Sequence, residues 1–170
     1  RRGDLVEAER LLRESLAILR EIDDRGNMAF TLTNLGLLMQ KKGDFHGARG
    51  FHEESYHIKI EIGDRFGEAK SLHNLGSIAA LTGEFDFAVQ FYQGSLDIKR
   101  ELGNRNSEAS TLNNIGKVLA AQGDLDQAEL LYRESLAIKI ESVDVIGEAN
   151  SLHNLAEIAI ARGDIAESER

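Results

Sequence analysis

Glycine stands at Gly3, Gly43, Gly83, Gly123 and Gly163, one every 40 residues. An acid follows each one: Asp4, Asp44, Glu84, Asp124 and Asp164. Ala8, Ala48, Ala88 and Ala128 keep the same phase, with Ser168 at the fifth place. So do the columns Ser15, Ser55, Ser95, Ser135; Ile18, Ile58, Ile98, Ile138; and Glu21, Glu61, Glu101, Glu141. A second block, Thr31-Leu32-Thr33-Asn34-Leu35-Gly36, returns as Ser71-Leu72-His73-Asn74-Leu75-Gly76, Thr111-Leu112-Asn113-Asn114-Ile115-Gly116 and Ser151-Leu152-His153-Asn154-Leu155-Ala156. A fixed period without insertions means that one supersecondary unit recurs and buries its apolar face against its neighbours.

Each unit reads as two helices. Ala69, Leu72, Leu75, Ile78 and Ala79 follow helical spacing, which predicts a first helix over about 67–81. Gly83 ends it, and the acid behind the glycine caps a second helix. Asp4 with Glu7, Asp124 with Gln127 and Asp164 with Glu167 fit a capping box. Ala88, Phe91, Tyr92, Ser95, Leu96 and Ile98 form the inner side of that second helix. The chain contains no Pro, so nothing breaks the helices, and no segment alternates with the period of a strand. Gly36, Gly76 and Gly116 fall inside helices at a cost of about 1 kcal/mol each, which close helix–helix approach would offset.

Composition narrows the function classes. The 170 residues carry 20 Lys+Arg against 29 Asp+Glu, a net charge of −9, which argues against a general nucleic-acid binder. Zero Cys excludes disulfides, thiolate metal sites and thiol nucleophiles. No apolar run approaches the ~20 residues of a membrane span, and the opening Arg1-Arg2-Gly3-Asp4 is not a signal peptide. The expectation is a cytoplasmic fragment or processed piece of a longer chain, since no Met initiates it. The register supports this: a lone second helix over 4–22, complete repeats over 27–61, 67–101 and 107–141, and a partial repeat over 147–170. Neither end shows a polar cap, so exposed apolar ends and end-to-end stacking are expected.

These residues resemble the tetratricopeptide repeat (TPR) family. Leu72, Leu75, Gly76, Gly83, Ala88 and Tyr92 fill its signature places, and so do Leu112, Ile115, Gly116, Gly123, Ala128 and Tyr132. The usual period is 34 rather than 40. The longer period with Asn-Leu-Gly is most similar to the Leu-Gly-Asn repeat adaptors, kinesin light chain and bacterial TPR signalling proteins. The resemblance implies an all-α, right-handed solenoid of stacked helix-turn-helix repeats. It also implies that the first helices line a concave groove, with Asn34, Asn74, Asn114 and Asn154 forming a ladder for a peptide backbone. An Asn side chain offers both donors and an acceptor for that task.

Other candidates on the same face vary between repeats, as specificity residues would. They are Phe30, Thr33 and Leu37; Lys70, His73 and Ser77; Ser110, Asn113 and Lys117; and Asn150, His153 and Glu157. The two lysines and two histidines make this face mildly basic and suggest an acidic peptide; an ordinary solvated face is the alternative. His46, His52 and His57 are spaced by six and five, which suits no helical metal pair, and they read as surface or groove residues. Arg2-Gly3-Asp4 and Arg162-Gly163-Asp164 read as the repeat's own turn. No phosphate-binding glycine loop is present. The leading expectation is a non-catalytic scaffold without cofactor or metal, binding a protein or peptide. A sensor or autoinhibitory region of a larger signalling or transcription-regulatory protein is the second, and a self-assembling solenoid the third.

Overall fold

The computed structural model describes residues 2–163, with side chains from Asp4 onward. The fifth acid of the turn column, Asp164, and its Glu167 lie outside the described residues. Within them the chain is all helical: α1 (Arg2–Glu21), α2 (Arg25–Lys42), α3 (Phe45–Glu61), α4 (Arg65–Leu81), α5 (Phe85–Glu101), α6 (Arg105–Gln122), α7 (Leu125–Glu141) and α8 (Val145–Ala161). The chain divides into two compact units, Arg1–Gly83 and Glu84–Arg170.

Caps decide where the helices start. Asp44 and Asp124 accept the backbone N–H of Gly47 and Gln127, at 2.9 and 3.1 Å, and so open α3 and α7. Glu84, one methylene longer, occupies the same place before α5 without a side-chain cap bond. Asp4 falls in the first turn of α1 rather than at its cap. The first helices have caps of their own. Asp24, Asp64, Asn104 and Asp144 accept from the N–H three residues on, at 2.8 to 3.2 Å. They start α2, α4, α6 and α8 at residues 25, 65, 105 and 145, two residues before the expected positions. At the other end Gly43 and Gly123 take left-handed φ of 82° and 88°, which glycine adopts without a Cβ penalty.

In the first unit α2 and α3 run antiparallel, since Arg25 at the start of α2 pairs with Glu61 at the end of α3. Lys42 and Glu9, 2.5 Å apart, tie the end of α2 to the start of α1 in the same sense. Leu16, Met28, Ala29, Leu32, Leu35 and Ile58 form one buried cluster, and Leu38, Met39, Ala48 and Ile78 another. In the second unit Arg105 and Glu141 pair across α6 and α7, and Ala128, Tyr132 and Ile158 join α7 to α8.

The serine column explains how two helices come this close. Ser55 Oγ donates to the Ala29 carbonyl and Ser135 Oγ to the Ala109 carbonyl, both at 2.8 Å. A small buried hydroxyl that finds a main-chain acceptor leaves no unpaired group. The helical glycines act similarly. A Cβ on Gly116 would lie 2.6 Å from the Tyr132 ring, and one on Gly36 2.5 Å from the His52 ring. His52 is therefore neither a surface nor a groove residue. It fills the ring position held by Tyr92 and Tyr132 in the next repeats and is fully buried.

Candidate functional site

The exposed faces of the first helices carry the candidate residues, and the Asn column lies at their base. Asn34, Asn74 and Asn114 are half-buried, and Asn154 is 4% exposed. The Nδ2 atoms of Asn74 and Asn154 are shielded from solvent and have no hydrogen-bond partner. An unpaired buried donor is uncommon in a folded chain and costs about 1–3 kcal/mol. Lys70, Lys117 and His153 are exposed, and His73 is half-buried. His153 Nε2 lies 3.4 Å from Glu157 Oε1 on its own helix. Asn113 turns inward and donates through Nδ2 to Ser151 Oγ at 3.0 Å. Thr33 is also interior: its Oγ1 donates to the Ala29 carbonyl at 2.9 Å. Phe30 and Leu37 are exposed on α2, on either side of Asn34.

A second column, Lys59, Lys99 and Lys139, lies at the ends of α3, α5 and α7, and all three lysines are buried. Their regular 40-residue phase was visible in the sequence, but a lysine reads as surface, so only the structure shows the burial. Lys59 Nζ donates to Thr33 Oγ1 and Ser71 Oγ, both at 3.0 Å, and so joins α2 to α4. Lys99 Nζ donates to Thr111 Oγ1 at 2.7 Å. Lys139 Nζ donates to Asp144 Oδ2 at 2.8 Å and to the Asn106 carbonyl at 3.2 Å. Burial lowers the pKa of Lys59, and that of Lys99 to about 8, because the charged ammonium loses water.

In the second unit these features meet in one polar pocket of about 350 Å³. Ser110, Asn113, Asn114 and Lys117 of α6 form one wall. Asp144, Ile146, Asn150 and Asn154 form the other, and Lys139 reaches the pocket from α7. Among the described residues no cluster of His, Cys, Asp or Glu could hold a metal ion. None of the described helices is long and apolar enough to cross a membrane.

Helix pairs recur at a 40-residue spacing, the His52 and Tyr132 rings sit on helical glycines, and α2, α4, α6 and α8 each carry an Asn of the column. The tetratricopeptide repeat model matches residues 1–61 and 67–141, and a second model of that repeat matches residues 149–170. The chain belongs to the tetratricopeptide repeat family. Its TPR fold is shared with BtubC (BKLC) from P. vanneervenii, 25% identical over 99% of this chain and 70% of that one, with a TM-score of 0.87. A putative kinesin light chain from Podosopora anserina, with nearly identical TPR-like repeats, is 19% identical over 99% of this chain and 83% of its own, TM-score 0.81. The STAND signal-transduction ATPase PH0952 from Pyrococcus horikoshii has a TPR sensor. It is 18% identical over 95% of this chain and 25% of its own, TM-score 0.82. No curated protein sequence matches the chain. As a TPR array it is, in general terms, a scaffold of the protein-interaction or regulatory kind.

Proposed function

We propose that the chain is a non-catalytic binding module whose first helices hold an extended peptide or a partner helix. In this reading Asn34, Asn74, Asn114 and Asn154 pair with the ligand backbone. Lys70, His73, Lys117 and His153 read its side chains, while Asn113, turned inward onto Ser151, supports the helix face behind them. The observation that carries it is the column itself: Asn34, Asn74 and Asn114 stand half-buried on first helices whose Lys70, Lys117 and His153 face solvent. An Asn repeated at one position of successive first helices, beside exposed side chains that vary, fits an extended ligand backbone. Complete repeats over 27–61, 67–101 and 107–141, flanked by 4–22 and 147–170, are the binding units of this reading.

Asn74→Ala/Asn114→Ala tests it in a pull-down from host lysate, with circular dichroism to show that the variant is folded. A partner captured by the wild type and lost by the variant supports the ladder. Equal capture by both rejects it. A second reading, a sensor or autoinhibitory segment of a larger regulatory chain, draws support from the TPR sensor of the STAND protein. It is distinguished by a ligand that lies in the parent chain rather than in a separate partner.

A further inference from the structure

Glu68, Glu108 and Glu148 hold one repeat position, in the first turn of α4, α6 and α8. Arginine claims the first two. Glu108 is buried and accepts from Arg105 on its own helix and from Arg100 at the end of α5, one on each carboxylate oxygen and both at 2.9 Å. Glu68 accepts from Arg65 at 2.6 Å. In the last of the three, Val145 stands where α4 and α6 carry Arg65 and Arg105, and Ile140 stands where α5 carries Arg100. Glu148 is half-buried, and among the described residues nothing donates to its carboxylate. A partly desolvated carboxylate without a cation is costly.

The side chains that replace the arginines face solvent. Ile140, Val143, Val145 and Ile146 are 55 to 80% exposed around the α7–α8 corner. Val143 turns that corner at φ 57°, a strained conformation for a β-branched residue. Ile60 and Phe66, at the places of Ile140 and Ile146 in the α3–α4 corner, are exposed as well, so the exposure belongs to these corner positions rather than to the last helix. That corner keeps Arg65 on Glu68, whereas the α7–α8 corner joins an apolar rim to an unclaimed carboxylate.

We propose that the α7–α8 corner docks a partner protein through an inserted arginine. The guanidinium takes on Glu148 the place that Arg100 and Arg105 take on Glu108, and the apolar neighbours of that arginine pack on Ile140, Val145 and Ile146. Charge complementarity selects this occupant: the planar guanidinium matches both oxygens of a carboxylate, and a chain of net charge −9 attracts a basic segment. The contact lies at a helix corner and is independent of the Asn column.

The test titrates the ¹⁵N-labelled 170-residue chain with acetyl-Leu-Arg-Leu-amide and with the same peptide carrying citrulline, which keeps the shape of arginine without its charge. The backbone amides of Val143, Val145 and Ile146 report binding. The expected result is a saturable shift with the arginine peptide and binding about tenfold weaker with the citrulline peptide. Glu148→Gln, shown to be folded by circular dichroism, removes the preference. Val145→Arg rebuilds the Arg105–Glu108 pair within α8; it blocks the arginine peptide and raises Tm, which a merely disruptive change would lower. Equal binding of the two peptides overturns the proposal, as does no shift with either. A preference that survives Glu148→Gln, or arginine binding unchanged in Val145→Arg, overturns it too. Shifts of these amides with chain concentration alone would assign the corner to a second copy and reject the arginine-bearing partner.

Discussion

His52 has both ring nitrogens buried without a partner, and burial lowers its pKa from 6.5 to about 4. The sign of its effect follows. Above pH 7 the ring is neutral in both folded and unfolded chain. As pH falls through 6.5 the unfolded chain takes up a proton that the folded chain does not, so stability falls until about pH 4 and then levels. The loss is about 3 kcal/mol over that window. His52→Tyr, the residue at this place in the next two repeats, is expected to remove this part of the acid sensitivity. Urea denaturation at pH 7.5 and pH 4.5 checks it, and an unchanged difference between the two pH values would refute the assignment. Gly116 gives a second expectation at this scale. Gly116→Ala gains about 1 kcal/mol of helix propensity but drives a methyl into the Tyr132 ring. A net loss of about 1–2 kcal/mol is expected from overpacking, read as a lower Tm.

At the scale of the elements, the lysines and the corners set stability. Lys99 holds α5 to α6 through Thr111, but its ammonium is buried with a pKa of about 8 against the usual 10.5. The unfolded chain binds the extra proton between those values, so this contribution improves as pH rises from 8 to 10.5. Lys99→Met is expected to stabilise the chain by about 1–3 kcal/mol at pH 7 and to flatten that rise, in thermal melts at pH 7, 9 and 10.5. The α7–α8 corner is a different case. Val143 is 80% exposed at φ 57°, where two corners of the same phase use Gly63 and Gly103. A β-branched residue there is strained, and Val143→Gly is expected to raise stability by about 1 kcal/mol in urea unfolding. How far the elements are legible in the sequence depends on whether a column is apolar or small. The Ala, Ser and Ile columns mark the inner faces because only those sizes fit there. The buried lysines and His52 escape such reading, since the burial of the lysines depends on polar partners, and that of His52 on a glycine, brought from elsewhere in the chain. Asp24, Asp64, Asn104 and Asp144 were in phase and readable as caps, and they account for the two-residue extension of each first helix. For the binding face, the sequence shows which residues vary, but not that Thr33 and Asn113 turn inward while Lys139 reaches the pocket.

At the scale of the whole chain, the terminal helices differ from the inner ones in what covers them. Ile18 of α1 is 54% exposed, whereas Ile58, Ile98 and Ile138 are 2 to 5% exposed. Leu152 of α8 is exposed where Leu32, Leu72 and Leu112 are buried. The 170-residue chain as it stands is expected to associate with itself at high concentration through these faces, a heterologous contact. Sedimentation equilibrium from micromolar to millimolar chain checks it, with Ile18→Glu as the disrupting variant. A monomer across the whole range would refute it. The serine and lysine bonds have another consequence, for how the chain comes into being. Ser55 bonds a carbonyl 26 residues behind it, and Lys59 a hydroxyl 12 residues ahead. Partners this near in sequence need little loop closure, which favours rapid folding. A ribosome releasing the chain would free each helix pair together with the groups that lock it, so each repeat could settle onto the last before the next had been translated.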